Sequence, residues 1–283
     1  MNGILVIDKE KGYTSRDIVN IVSKKLGTKK VGHTGTLDPI ATGVLVLCIG
    51  KSLKLTELLV SNDKEYIARV RLGIETDTLD ITGNIVKESK VKDITREDIE
   101  KVLNKFKGKI NQEVPKYSAV SVNGKRLYED ARNDIYVKLP VREVEVFEIE
   151  LISDIVDNEF SFRCRVSKGT YIRSLIRDIG YELGNCATMV ELKRIKQGMF
   201  DINEAYSLKD IENDNYKILN PIDVLDIPKV VVSEDMEFRV INGQVLKKFF
   251  AGDIAMILNK NNELLAIYKD YNDGYVKPYK MFV

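Results

Sequence analysis

The chain has 283 residues, enough for one large domain or a domain with a small companion, and its 44% hydrophobic and 31% charged residues support a sizeable core under a solvated surface. No apolar run is long enough to cross a bilayer, the N-terminus lacks the charged segment and apolar core of a secretory leader, and the three cysteines (Cys48, Cys164, Cys186) form no C-x-x-C pair. That pattern argues against a disulfide frame and a thiolate zinc site, and for a reducing, cytoplasmic compartment. The net charge of +1 conceals segregation: residues 1–60 carry +4, 61–160 carry −4, 161–200 carry +5, 201–228 carry −5 and 229–283 carry +1. If the two basic stretches meet in space, they form a patch suited to a phosphate backbone.

Residues 3–8 (GILVID) read as a short buried strand. Residues 15–26 have helical spacing, with Ile18, Val19, Val22 and Leu26 on one face, a capping box from Thr14 and Asp17, and Gly27 beyond the end. Lys24, Lys25, Lys29 and Lys30 follow as a solvated basic cluster. The stretch 31–45 (VGHTGTLDPIATGVL) then concentrates glycines, threonines, the single histidine and an Asp-Pro pair between apolar segments. Glycines permit close backbone approach, and Pro39 pushes Asp38 into an extended conformation on a stiff corner. By itself the stretch reads equally well as a surface loop.

Residues 44–49 are a continuous apolar run, consistent with a buried strand, and 52–60 suggest a short helix. Gly50-Lys51-Ser52 resembles the end of a phosphate-binding nucleotide loop, but that motif needs glycine where Leu45 stands, which removes a nucleotide hydrolase. In residues 64–73, Tyr66, Ala68, Val70 and Leu72 share one strand face while Arg69 and Arg71 take the other. Residues 75–83 are a loop before a short strand near Ile85; Thr95 and Asp98 cap a helix ending near Gly108. Asn123-Gly124 marks a hairpin turn, with Lys125 and Arg126 beside it. Residues 142–152 and 160–166 read as strands.

A helix follows with Ile172, Ile176, Ile179 and Leu183 as its stripe. If residues 169–173 stay extended, Tyr171 and Arg173 lie on one face; in a helix they diverge. Residues 187–200 read as a basic turn and strand carrying Lys193, Arg194 and Lys196. The acidic stretch 201–228 is a connector with short helices, and 229–283 a small β-rich unit with strands at 230–232, 254–258 and 264–268.

One histidine rules out a multi-histidine metal site, and neither a G-x-S-x-G elbow nor a dinucleotide fingerprint is present. What remains is an aspartate on a rigid corner, tyrosines at strand positions, an arginine able to pair with the aspartate, and scattered lysines. That set suits cofactor-free work on a nucleic acid: a reactive carboxylate, a stacking ring, and cations for phosphates.

Residues 32–45 (GHTGTLDPIATGVL) resemble the signature loop of the TruB family of bacterial tRNA pseudouridine-55 synthases. The similarity continues in order through 3–15 (GILVIDKEKGYTS), 63–78 (DKEYIARVRLGIETDT), 117–132 (YSAVSVNGKRLYEDAR), 167–175 (SKGTYIRSL) and 192–194 (LKR). The resemblance implies an α+β pseudouridine synthase fold: a mixed, mainly antiparallel central sheet with flanking helices in a catalytic domain over 1–228, and a small β-rich PUA-like RNA-binding domain over 229–283. It implies Asp38 as the catalytic aspartate, Tyr66 as the tyrosine packed on the flipped base, and Arg173 as the aspartate's partner. Tyr171 and Leu192 would line the uridine pocket, His33 would hold the rearranged T-loop, and Lys9 and Lys54 would lie near the substrate or the catalytic loop. The insertion at about 115–140 would be a thumb that closes on RNA. The family uses no metal and no cofactor; the expected partner is the T-arm stem-loop of tRNA, bound by a cytoplasmic monomer with no membrane association.

Two positions depart from the pattern: Glu10 stands where proline is usual, and Ser121 where lysine is usual. Competing readings are a non-catalytic tRNA-binding or tRNA-folding protein on the same scaffold, against which the intact Asp38, Tyr66 and Arg173 argue, and a guide-RNA-dependent relative, against which the chain's own thumb-like segment argues.

Overall fold

The computed structural model describes residues 1–60, 63–91, 93–122, 124–133 and 135–283. Its centre is a nine-stranded sheet. The main path runs Gly3–Lys9, Thr42–Ile49, Ala187–Gln197, Lys64–Leu72, Glu159–Val166, Val141–Leu151 and Gly108–Glu113, with Val31–His33 paired to Thr42–Ile49 and Phe200–Asp201 to Ala187–Gln197. Its one parallel pairing joins Thr42–Ile49 to Ala187–Gln197; the other pairings are antiparallel. The fold is therefore α+β with a mixed, mainly antiparallel sheet.

The hydrophobic pattern of each strand follows from what covers it. Along Thr42–Ile49, Leu45, Leu47 and Ile49 enter one core while Val44, Val46 and Cys48 enter another. Gly3–Lys9 is split the same way, Leu5 and Ile7 against Ile4 and Val6. Both strands are covered on two faces, so both read as unbroken apolar runs. Lys64–Leu72 buries only Tyr66, Ala68, Val70 and Leu72 in the first core. Its other face is open: Arg69 and Arg71 both meet Glu159 there, Arg163 meets Glu65, and Arg165 meets Asp63 and Glu148.

Four helices close the first core: Ser15–Lys25 with Ile18, Val19 and Val22, Arg96–Lys105 with Ile99, Val102 and Leu103, Ile172–Glu182 with Leu175, Ile176 and Ile179, and the short Leu208–Glu212 with Leu208 and Ile211. The first two carry full capping boxes, Thr14 with Asp17 and Thr95 with Asp98. The connector does more than link: Ile4 and Leu219 exchange backbone hydrogen bonds of 2.9 and 2.8 Å, and the Tyr206 carbonyl accepts from Asp8 at 2.9 Å. It thereby caps the outer edge of Gly3–Lys9, an edge that would otherwise invite pairing with another chain.

The C-terminal residues form a five-stranded sheet in the order Lys229–Val231, Ile254–Leu258, Leu264–Tyr271, Tyr275–Met281, Leu246–Lys247. It shares a core with the central sheet: Met256, Ile267 and Phe282 pack with Val44, Val46, Leu55 and Leu59. Several elements differ from the sequence reading, among them the strands Val31–His33 and Gly108–Glu113 and the helix Leu127–Arg132, which it did not give. Residues 50–60 are a 3-10 helix, Gly50–Leu55, followed by the short helix Thr56–Val60. The C-terminal unit also contains the helix Glu234–Ile241 and the strand Tyr275–Met281. The turn expected at Asn123-Gly124 joins the two-residue strands Ser121–Val122 and Lys125–Arg126, with Asn123 itself outside the described residues.

Gly43 sits at φ +98°, and a Cβ there would lie 2.2 Å from the Arg194 carbonyl oxygen. Gly43→Ala must therefore both strain the backbone and push two sheet strands apart. The expected loss is at least ~2 kcal/mol in urea unfolding, and an unchanged midpoint would remove this close approach from the account.

A candidate active-site cleft

The stretch 31–45 forms one wall of an open cleft of ≈ 740 Å³. Asp38, Tyr66, Arg173, Tyr171, Leu192 and His33 all line it. They come from five segments: the corner loop, the strands Lys64–Leu72 and Ala187–Gln197, the strand Val31–His33 and the start of the helix Ile172–Glu182.

The decisive contact joins two of them. Arg173 Nε donates to Asp38 Oδ2 at 2.9 Å, Nη1 to the Thr78 carbonyl at 2.8 Å, and Nη2 to the Tyr117 carbonyl at 2.9 Å. The arginine side chain is 5% exposed and the aspartate 36% exposed. The cation is thus fixed behind while the carboxylate faces the opening, a charge-assisted pair with one defined geometry.

The helix begins at Ile172, with Tyr171 as its N-cap residue in extended conformation (φ −100°, ψ 109°). Arg173 is therefore helical and Tyr171 is not, yet both reach the cleft because the helix starts at its wall. The Tyr171 N–H donates to Gln112 Oε1 at 2.7 Å, fixing that start.

Burial raises the Tyr66 hydroxyl pKa above the usual tyrosine value, against the opposing effect of the nearby Arg194. Burial, aided by Arg16 and Arg194, lowers the His33 pKa, so the imidazole is neutral at pH 7. Its Nδ1 is buried without a hydrogen-bond partner among the described residues.

Lys9 and Lys54 occupy other places. Lys9 is fully buried beneath the corner, donating from Nζ to the carbonyls of Tyr13 at 2.6 Å, Glu10 at 3.0 Å and Pro39 at 3.5 Å. Burial pulls its pKa down to about 8, with Asp38 acting the other way. Lys54 lies outside the cleft: its Nζ donates to the Met281 carbonyl at 2.6 Å, tying Gly50–Leu55 to the C-terminal sheet.

Reading the sequence missed several contributors. Lys64 lines the cleft, its pKa brought to about 8 chiefly by burial and then by Arg194. Asp80 adds a second carboxylate to the lining, held by Thr78 Oγ1 at 3.1 Å and the Thr82 N–H at 3.0 Å. Arg194, read as one of three cations on a basic turn and strand, is 1% exposed. Alternation was the available signal, because it places Arg194 on the same face as Leu192.

The basic stretches do converge: Arg16 comes from the first, Lys168, Arg173 and Arg194 from the second, and Arg126 and Arg132 from the insertion. The insertion hangs between the paired strands Gly108–Glu113 and Val141–Leu151, its base closed by a 3.0 Å bond from the Val114 N–H to the Pro140 carbonyl. Glu10 contributes only its carbonyl to Lys9, and Ser121 pairs with Arg126 in the insertion's short ladder. Among the described residues, no three His, Cys, Asp or Glu side chains are grouped so as to hold a metal ion.

Similarity to known proteins extends over the whole chain. Residues 23–172 match the model of the TruB family pseudouridylate synthase N-terminal domain, and residues 173–225 that of the tRNA pseudouridylate synthase B C-terminal domain. The boundary between them crosses the central sheet, since Ala187–Gln197 pairs with Lys64–Leu72. The tRNA pseudouridine synthase B of Halalkalibacterium halodurans is 42% identical over 296 residues, 99% of this chain and 97% of that protein. That of Staphylococcus saprophyticus is 41% identical over 305 residues, covering 99% of each. Among solved structures, a chain of a Cbf5-Nop10-Gar1 complex superposes with a TM-score of 0.74 at 26% identity, over 99% of this chain and 85% of that one. A chain of an H/ACA RNP bound to a substrate RNA containing 2'-deoxyuridine gives 0.72 at 26% identity, with the same coverage.

The buried Lys9 amine has a testable signature. Its pKa falls from 10.5 to about 8 on folding, so between those values the unfolded chain holds the extra proton and stability from this group rises with pH. Lys9→Met abolishes that rise. The unfolding free energy of wild type relative to the variant should increase between about pH 8 and about pH 10.5; a flat difference would contradict the depressed value.

Proposed function

This chain belongs to the TruB family of pseudouridylate synthases, and on that premise we propose that it converts uridine 55 in the T-loop of tRNA to pseudouridine, with Asp38 as the reacting carboxylate. That the enzyme is a tRNA pseudouridine synthase follows from its family and from full-length relatives of that name. The T-loop target and the residue roles are our reading. The observation that carries it is the Asp38–Arg173 pair, a half-open carboxylate locked by a buried cation at 2.9 Å inside a cleft with basic walls.

The reaction breaks the ribose C1′–uracil N1 bond, rotates the base and joins C1′ to C5, with the C5 hydrogen leaving as a proton and N1 taking one up. Atoms and electrons balance within the substrate, so no oxidant, acyl donor or phosphate is needed, and we propose that neither metal nor cofactor takes part. The uridine must first leave its stack, which costs roughly a few kcal/mol. Tyr66 offers a ring to pack on the extruded base, and Leu192 and Tyr171 complete an apolar pocket around it. Arg173 aims the Asp38 carboxylate at the sugar–base junction. His33, with its pKa lowered by burial and its ring in the cleft lining, would meet the folded loop of the RNA. Arg16, Lys168, Arg126 and Arg132 would take phosphates. The insertion at 115–140 would close over the substrate, since the Tyr117 carbonyl on it already bonds Arg173.

We further propose that residues 1–228 are the catalytic domain and that 229–283, with its five-stranded sheet, is a PUA-like accessory RNA-binding unit. We propose that the protein acts as a monomer, and its own insertion favours a stand-alone enzyme over a guide-RNA-dependent one. No helix of the described residues is long and apolar enough to cross a membrane, and free tRNA as substrate is consistent with the cytoplasm.

An unmodified T-arm transcript, incubated with the protein alone in excess EDTA, should gain one pseudouridine at the T-loop position. Asp38→Asn should bind the transcript and form none; normal turnover by that variant would take Asp38 out of the chemistry. Arg173→Lys keeps the charge but loses the three-pronged fork, so its rate should fall by about 10²-fold or more. Wild-type activity there would dissolve the pairing argument.

A further inference from the structure

Register places four residues in one row across the end of the central sheet. Lys9 pairs with Gly43, Gly43 with Arg194, and Arg194 with Tyr66. Gly43 has no side chain, and the backbone of Arg194 fills the place where its Cβ would stand, so Lys9 and Arg194 flank it closely in the row. The corner loop carrying Asp38 is held over this end of the sheet.

The hydrogen bonds of Arg194 fall on the two ends of that loop. Its Nε donates to the Val44 carbonyl at 2.7 Å and its Nη2 to the Gly35 carbonyl at 3.0 Å. Residues 36–43, with Asp38 among them, thus hang from a neck closed by one guanidinium. Lys9 reaches further up the loop, to the Pro39 carbonyl. On its other side Arg194 faces the Tyr66 hydroxyl. One buried, planar, five-donor group therefore touches both halves of the pocket: the loop that presents the carboxylate and the ring that would pack on the base.

We propose that Arg194 is a positioning residue for pseudouridine formation, closing the neck of the Asp38 loop and fixing Tyr66 beside it; the inference rests on the functional reading above. Arg173 sets the direction of the carboxylate, whereas Arg194 sets the height of the loop on which it stands. The fork matters as much as the charge. A lysine at 194 keeps the cation but cannot hold two carbonyls in one plane. The Gly43 close approach supports the same point, because the strand carrying Arg194 can reach the neck only where its neighbour lacks a Cβ.

The test compares wild type, Arg194→Lys, Arg194→Met and the control Lys193→Met on an unmodified T-arm transcript, reading single-turnover rate and transcript Kd separately. Lys193 is exposed, one residue earlier on the strand. A loop displaced by about 1 Å costs on the order of 10²-fold in rate. Arg194→Met should lose about that much, with Arg194→Lys between it and wild type, and Kd should stay within about threefold throughout. Lys193→Met should match wild type. Should Arg194→Met fail to fold, Arg194→Lys decides. A wild-type rate in folded Arg194→Lys, or a loss confined to Kd, overturns the proposal: the first would leave Arg194 a fold stabiliser, the second an RNA-phosphate ligand. A wild-type protein that forms no pseudouridine would overturn the functional reading and this inference with it, whereas active wild type with active Arg194 variants overturns the inference alone.

Discussion

The guanidinium of Arg173 is the point on which the cleft depends. It spends one N–H on Asp38, one on the Thr78 carbonyl and one on the Tyr117 carbonyl, and it is nearly excluded from water. A cation in that position is tolerated only because each prong has an acceptor. Four segments distant in sequence meet there: the corner loop, the loop after Lys64–Leu72, the insertion and the helix Ile172–Glu182. Moving the insertion changes the surroundings of the same group that aims the carboxylate. The position of the insertion and the geometry of the carboxylate are therefore coupled through a single side chain.

Beneath that pair, the sheet supplies a floor whose covering differs from end to end. Near Gly3–Lys9 both faces are dry, one under helices and the other under the C-terminal sheet. Toward Val141–Leu151 the outer face is wet and covered with ion pairs. The chain's acidic residues are partly consumed there, each matched with an arginine. Around the cleft the balance reverses, with Arg16, Lys64, Lys168 and Arg194 against Asp38 and Asp80. A net charge of +1 is thus compatible with a basic groove, because the chain's acidic excess lies in other stretches, above all 201–228.

Local rules made much of this legible in the sequence. Period-two alternation located Lys64–Leu72 and its Tyr66 face, and both capping boxes located helix starts to the residue. What escaped depended on contacts between distant segments. Arg194 looks like one cation of a basic turn and strand until its two carbonyl partners, at 35 and 44, are seen to fold back over it. Tyr171 and Arg173 reach one cleft across a strand-to-helix junction, a geometry that neither a pure strand nor a pure helix predicts. Lys54 sits in a region of sequence close to the corner loop, yet its amine is taken by a carbonyl of the last strand. Tyr275–Met281 is masked by Pro278, which suits a register irregularity rather than a regular ladder: its pairing with Leu264–Tyr271 shifts between Ile267 and Tyr268, where Pro278 meets Tyr268.

The glycines of the corner loop acquire a different meaning from the one their density first conveys. Small residues near an aspartate that lines a cleft invite the idea that they make room for a ligand. At Gly43 the room is taken from below, by the backbone of Arg194 at 2.2 Å from where a Cβ would stand. At Gly32 it is taken by the Leu53 side chain, 2.7 Å from the corresponding position. These glycines let the loop lie flat on its own sheet, close enough for Arg194 and Lys9 to hold its carbonyls. The opening above Asp38 is then left free because the loop has been drawn down, and a loop held from beneath can present a carboxylate to a base arriving from the other side.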